Sequence, residues 1–485
     1  MQRTTKRRCV MQDFLKRVID TLHNKKVEYG DVRYIEQEIE LIMIKNGVLE
    51  AVSHMTDSGF GVRLLKDSAW GFSSSNITTK READKVTRDA LRIAKASAKV
   101  KAEGVTLAPI KVQKGTYRTS VKTDPMKVSL DTKIDLLMEC DSIMREDPKV
   151  KISTGFIRFK RVKNFFASTK GSLLKQEMCF SGGSLKAFAM DKGELQTRSY
   201  GNYRQAGYEF INELGLVSHA PRIRDEAVML LSAKPCPSGK TTVLLDAEQM
   251  VLQTHESCGH PTELDRVLGT EASYAGTSFM TIDLLRKLKY GSDIVSIVAD
   301  ATTPGGLGTF GWDDEGVPAK KVYLIKNGQF VGYLSSRETA PVIKSTSSGA
   351  MRADGWNRIP LIRMTNINLV PGTWSLEGMI ADTGKGVYMT TNKSWSIDDK
   401  RLNFQFGCEL ARQIKNGKLG EVYKNPTYTG ITPQFWNNCD ALGNKKEWIL
   451  WGVPNCGKGE PGQTAFVGHG TVPARFRKVQ IGIAK

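Results

Sequence analysis

The apolar positions change period several times along the chain, and each change predicts a change of element. Between residues 11 and 26, Phe14, Leu15, Val18, Ile19 and Leu22 recur at helical spacing and predict an amphipathic helix. "VEYGDVRYIEQEIELIMIKNGVLEAVS" then reads as strands turned at Asn46-Gly47, a strong two-residue hairpin signal. The same I-K-N-G string returns at 325–328 and 414–417 between strand-like runs, which predicts a strongly antiparallel protein rather than a repeat array. "GFGVRLLKDSAWGFSS" (59–74) is a further strand pair, "READKVTRDALRIAKASAKV" (81–100) an amphipathic helix, and residues 108–125 a Lys-rich connector. Residues 129–146 predict a helix capped by Ser129 or Asp131, followed by short strands to about residue 200 with a turn every ten residues or so.

Two Pro and a Gly crowd "AKPCPSGKTTVLLD" (233–246), which places a domain boundary near 225. The expected fold class is α+β: an N-terminal mixed α/β domain over 1–225, with subdomains at about 11–105 and 120–225, and a larger, mainly antiparallel β domain over 226–485. The second part holds most of the tryptophans and, with them, the stretch of greatest chemical interest.

Composition narrows the function classes. Hydrophobic residues at 40% and charged residues at 25% are ordinary for a globular protein, and no run of eighteen apolar residues predicts a membrane span. The opening residues lack an apolar core and cleavage site for a signal peptide, and Met11 reads as an alternative start to Met1. Eight Cys at 9, 140, 179, 236, 258, 408, 439 and 456, with no C-x-x-C pair, point to free thiols in a reducing cytoplasm. The net charge of +19 is dispersed in short clusters such as "RFKRVK" (158–163), which reads as a solvated strand face. Nucleic-acid binding, which needs a basic face with stacking aromatics, is not expected; the surplus suits acidic peptides or simple solubility.

"GLGTFG" (306–311) fits G-x-G-x-x-G, yet "WDDEGVP" after it opens no helix, so a dinucleotide site is not expected; "PSGKTT" lacks the spacing of a phosphate loop. "HESCGH" (255–260) is different. On a regular α-helix His255 and His260 would point about 140° apart and could not share an ion. Gly259 tolerates unusual backbone angles and Pro261 disfavours the α region at His260, so the helix can end there and fold His260 back; a one-residue π-type widening achieves the same convergence. Two His flanking a Glu then read as a metal site with an acid–base residue beside it.

"HESCGHPTELD" strongly resembles the HExxxH element of the TldD/PmbA family of metallopeptidases. "GVRLLKDSAWGF" resembles that family's N-terminal domain, and "GTFGWDDEGVPAKKVYLIKNGQFVGYL", "MRADGWNRIPLIRMTNINLVPG" and "NCGKGEPGQTAFVGHG" follow the order of its C-terminal metallopeptidase domain. The resemblance implies a zinc peptidase of the TldD type, with His255, His260 and Cys456 as zinc ligands and Glu256 as general base. Cys258 lies inside the motif and is either a competing ligand or a small packing residue; His469 in "GHGT" is a rival third ligand. Glu263 and Asp265 either orient an imidazole or cap the next segment. The substrate would be a short or unfolded peptide held along a strand edge, with "GTFGWDDEG" as the candidate loop beside it. The resemblance further implies a dimer enclosing a chamber, formed with a homologous HExxxH-lacking chain or with a second copy. The competing reading is a metal-containing peptide-binding subunit without turnover.

Overall fold

A computed structural model describes residues 2–101, 103–274, 276–459 and 462–482. The side chains of residues 2–10, including Cys9 and the "KRR" at 6–8, lie outside that description.

The first part is built on one sheet of seven strands: β1 (Tyr29–Lys45), β2 (Val48–Lys66), β3 (Ala69–Ser75), β4 (Lys114–Arg118), β5 (Val150–Ser168), β6 (Leu173–Asp191) and β7 (Glu194–Arg204). The order is β3-β2-β1-β5-β6, with β4 parallel to the start of β6 and β7 antiparallel to its end. Helices cover one face. At one end α1 (Gln2–Asn24) and α2 (Lys80–Ala98) bury Phe14, Leu15, Val18, Leu22, Val86 and Ala90 against Val32, Tyr34, Phe60 and Val62. At the other, α3 (Leu130–Met144), α4 (Glu209–Leu214) and α5 (Leu216–Ser232) cover Ile42, Ile44, Ile157, Phe159 and Leu185. The α3 cap is Ser129, whose hydroxyl accepts from the Thr132 N–H at 3.1 Å. The α4–α5 pair was not read in the sequence, where Pro221 obscured the helical pattern; residue 225 falls within α5.

β5 and β6 are each nineteen residues long, which corrects the expectation of short strands with frequent turns. The misleading signal was Gly182-Gly183. Both glycines stay in the strand, opposite Arg158 and Ile157, because neighbouring chains come too close for a side chain: a Cβ at Gly182 would lie 2.0 Å from the Tyr203 ring, and one at Gly183 2.7 Å from the Phe156 carbonyl oxygen.

All three I-K-N-G strings form two-residue turns, with Asn46, Asn327 and Asn416 at φ near +50° and the following glycines near +73°. In the second part, strands Lys385–Ile397, Gly239–Leu245, Ala474–Ile481, Thr427–Ile431 and Asn403–Lys415 pair in that order, and the last pairs back to the first, closing a barrel-like ring. One pairing is parallel and the others antiparallel, so the chain is α+β with a mainly antiparallel second part. The uncovered face of the N-terminal sheet docks on this part: Ile35, Val162 and Phe180 meet Leu307 and Phe466.

Candidate metal centre

From strand Gly239–Leu245 the chain enters helix α6 (Gln249–Thr254), and every residue from 253 to 266 is buried. Polar partners hold this dry segment in place. Gln249 Nε2 donates to the Tyr428 hydroxyl, which donates to Gln253 Oε1; Trp436 Nε1 donates to Ser257 Oγ at 2.9 Å, and the Tyr290 hydroxyl to the Ser257 carbonyl at 3.0 Å.

After Thr254 the helix widens into a π-type turn over His255–Gly259, in which the His260 N–H donates to the His255 carbonyl, five residues back. The extra residue per turn brings His260 round beneath His255, with ring centroids 4.8 Å apart. Of the two routes to convergence expected from sequence, this is the widening. Gly259 and His260 keep ordinary right-handed helical angles, which corrects the expected bend at Gly259-His260-Pro261. Gly259 is needed for space, since a Cβ there would lie 2.3 Å from Met364 Sδ. Pro261 occupies the first turn of a short 3-10 helix, where a missing N–H costs little, and His260 is pinned by its bonds on both sides.

The third group arrives from strand Ile449–Lys458, with its carbonyl held by Arg363. Cys456 Sγ lies 3.5 Å from His255 Nε2 and 3.6 Å from His260 Nε2, and all three atoms fall within 4.8 Å of one another. A tetrahedral zinc with bonds of about 2.3 Å to sulfur and about 2.05 Å to nitrogen would separate those two atoms by roughly 3.5 Å. The sulfur–nitrogen separations and the chemistry of the donor set fit such an ion.

Hydrogen bonds behind the rings decide which nitrogens are free. The Ile367 carbonyl can only accept, so His469 donates to it from Nδ1 (3.2 Å) and presents a lone pair at Nε2. That lone pair accepts from His255 Nδ1 at 2.9 Å, leaving the His255 Nε2 lone pair facing the cluster. On the other ring, Glu263 Oε2 accepts from His260 Nδ1 at 2.9 Å, with the same outcome. His469 thus stands behind a candidate ligand instead of replacing Cys456, and Glu263 takes the imidazole-orienting place with no capping bond to the next helix. Asp265 reaches the site through Lys458, whose Nζ is 2.7 Å from Asp265 and 3.4 Å from Glu263. Burial alone would raise the Glu263 carboxyl; Lys458, His260 and Arg266 reverse this and hold it well below the usual range. Burial likewise opposes ionisation of Cys456, but the positive surroundings, Arg363 among them, outweigh it and bring the thiol below its ordinary value.

Cys258 points elsewhere, into the core beside Tyr290, where burial pushes its thiol up. Glu256 sits at the edge of the cluster with Oε2 3.0 Å from Arg401 Nη1, an arginine the sequence reading passed over because it lies on a distant hairpin turn. "GTFGWDDEG" docks on the N-terminal sheet: Gln176 Oε1 accepts from the Gly311 N–H, and Trp312 packs on Gly115 of β4. The glycines of "GLGTFG" are packing residues; Cβ atoms at Gly306 and Gly308 would lie 2.3 and 2.2 Å from Asn366 Oδ1 and the Thr365 carbonyl oxygen.

Three family models match the chain in order: PmbA/TldA metallopeptidase domain 1 over residues 30–94, the central domain over 123–233 and the C-terminal domain over 238–482. The chain belongs to the PmbA/TldD metallopeptidase family. A metalloprotease of Methanocaldococcus jannaschii is 32% identical over 449 residues, covering 91% of this chain and 94% of the relative. A zinc metalloprotease TldD homolog of Saccharolobus solfataricus is 22% identical, covering 94% and 96%. Among solved structures, TldE from Thermococcus kodakarensis shares the fold at a TM-score of 0.74 with 16% identity over 98% of this chain and all of that one. A Thermotoga maritima chain described as a proposed modulator of a DNA gyrase superposes at 0.79 with 18% identity, covering 97% of this chain and 100% of its own. Membership makes this PmbA/TldD chain a metallopeptidase, and the cluster above is its candidate metal centre.

Proposed function

We propose that the chain is a zinc-dependent peptidase acting on unfolded or short peptides, with His255, His260 and Cys456 as the metal ligands and Glu256 as general base. The observation that carries this reading is the ordering of both imidazoles, by His469 and by Glu263, so that two Nε2 lone pairs converge on one sulfur. The zinc metalloprotease name of the Saccharolobus relative supports the choice of metal.

Zinc, when bound, supplies a Lewis acid for the scissile carbonyl and lowers the pKa of water to about 7. The rest falls to the chain. Glu256 is ionised: burial alone would raise its carboxyl, but the cationic groups facing it, Arg401 and Arg266 among them, hold it below the usual range. It takes a proton from the attacking water and delivers it to the leaving nitrogen. His469 and Glu263 keep the ring nitrogens in the right tautomer through the cycle. The burial of His255, Glu256, His260 and Cys456, each at 4–6% exposure, keeps bulk water from the reacting atoms.

The mainly antiparallel second part suits a peptide added as an extended strand, held by its backbone with little sequence selectivity. The likeness in fold to TldE supports a particle of two related chains, with a second copy of this chain as the other arrangement. The seven cysteines of the described residues that carry a side-chain description are all free, which supports a reducing cytoplasm.

Metal analysis and cleavage of an unstructured peptide test the reading. Wild type is expected to carry zinc and cut; Glu256→Gln to keep the metal and lose activity by about 10²–10⁴-fold; Cys456→Ser to lose the metal. Hydrolysis surviving in Glu256→Gln removes the mechanism, and full zinc in Cys456→Ser removes the ligand set. Peptide bound by loaded wild type but never cut would establish the non-catalytic subunit instead.

A further inference from the structure

Three arginines surround the metal centre, and they are not equivalent. Arg266 is buried against Glu263 at 3.4 Å. Arg363 is buried too, and its two terminal nitrogens donate to the carbonyls of Cys456 and Gln463. Arg401 alone of the three faces solvent, with 17% of its side chain exposed beside a Glu256 side chain at 8%. A guanidinium carries five N–H donors. Among the described residues only Glu256 accepts from the Arg401 guanidinium, whose Nε is buried with no acceptor.

The turn that carries this arginine is built for rigidity. Arg401 adopts a left-handed backbone at φ +62°, which is uncommon for a residue with a side chain. Asp398 holds it there: its carbonyl accepts from the Arg401 N–H at 2.9 Å and its carboxylate from the Leu402 N–H at 2.7 Å. Thr277 and Phe279 donate to the carbonyls of Asp399 and Lys400, and the Thr432 hydroxyl to that of Arg401. A strained turn clamped from three sides delivers one cation to the proposed base, with donors to spare.

We infer that Arg401 donates a hydrogen bond to the negatively charged oxygen that forms when water adds to the scissile carbonyl, a role that rests on the zinc-peptidase reading above. As the water oxygen bonds to carbon, its proton passes to Glu256 and the carbonyl π pair moves onto oxygen. Arg401 stabilises that oxygen without giving up a proton. Collapse re-forms the C=O bond and breaks C–N, and the proton held on Glu256 goes to the leaving nitrogen. A donor fixed before reaction at the place where charge develops is worth about 10²–10³ in kcat.

The test compares Arg401→Ala, Arg401→Gln and Arg401→Lys with wild type on one unstructured peptide, in free-acid and C-terminally amidated forms. In Ala and Gln, kcat is expected to fall about 10²–10³-fold for both peptides while KM stays within about threefold. Lys is expected to keep part of the rate, and added guanidinium chloride to restore activity to Ala while leaving wild type unchanged. Metal content should match wild type. With Glu256→Gln as background, adding Arg401→Ala should leave the affinity for uncut peptide unchanged, because the charged oxygen is absent from the ground state. A loss confined to KM of the free-acid peptide would make Arg401 an anchor for a terminal carboxylate and overturn the inference. So would a kcat loss below about threefold, or metal lost in step with activity. Activity surviving in Glu256→Gln would instead overturn the peptidase mechanism itself.

Discussion

Over the N-terminal sheet, Phe14, Leu15, Val18 and Leu22 of α1 meet Val32, Tyr34, Phe60 and Val62 in an almost wholly apolar interface. The segment from residue 253 to 266 is buried as deeply, yet most of its side chains are polar. The first region is held by area removed from water, at roughly 25 cal/mol per Å². The second is held by pairing, because a buried polar group without a partner costs about 1–3 kcal/mol and a buried charge more. Apolar burial degrades gradually when a side chain is trimmed. Paired burial fails when one member goes, since the other is left charged and dry.

The largest expected effect breaks a pair in the second region. Lys458→Met leaves Glu263 and Asp265 facing each other without their shared cation, all within the buried site. Stability of the second part should drop by about 3–5 kcal/mol, read from the urea midpoint, and metal content should fall with it because Glu263 no longer has a fixed position behind His260. A change below about 1 kcal/mol would mean that Arg266 alone satisfies Glu263.

Next in size is a trimmed side chain in the first region. Leu22 is fully buried, and the methyl groups that Leu22→Ala removes are those that a Cβ at Gly30 would meet at 2.9 and 3.3 Å. The expected loss is about 2–4 kcal/mol with metal content unchanged, measured by denaturant unfolding and metal analysis on the same sample. Metal lost in this variant would show that the two regions unfold as one unit.

The contrast also explains what could be read from the chain. Helical spacing at Phe14, Leu15, Val18 and Leu22, the Asn-Gly turns and the Ser129 cap are local signals, and each stands where its spacing placed it. His255, Glu256 and His260 were legible for the same reason, being written within six residues. Cys456 came from family resemblance, not from spacing. The partners that make the site chemically definite were legible only as residue types or not at all. Arg401, Lys458 and His469 are each far from the motif in sequence, and nothing local distinguishes a lysine that sits beside Glu263 from one in water. Gly182-Gly183 misled in the opposite sense, because glycine signals a turn locally and a tight crossing only in three dimensions.

The smallest expected effect, taken per pH unit, comes from two carboxyls just upstream of the motif, which are half-buried where Glu263 is fully buried and lack its surplus of cations. Burial pushes Glu248 up to about 8, with the like charge of Asp246 adding to it; the Thr391 hydroxyl, donating at 2.8 Å, and Arg198 only partly oppose the rise. A carboxyl whose pKa is higher folded than unfolded contributes stability that is fully present below its unfolded value, near 4.5, and is lost as pH climbs toward 8. Wild type should therefore weaken relative to Glu248→Gln across that window, by no more than about 1.4 kcal/mol per pH unit, the limit for one proton. Urea midpoints of both proteins at successive pH values measure the slope. Glu263 makes the opposite case: held low by Lys458, it contributes stability above the usual carboxyl range that is lost only in acid. Parallel curves for wild type and Glu248→Gln between pH 5 and 8 would mean that cations reach the Asp246–Glu248 pair after all, and that burial by pairing extends along the whole of α6 instead of beginning at the candidate metal centre.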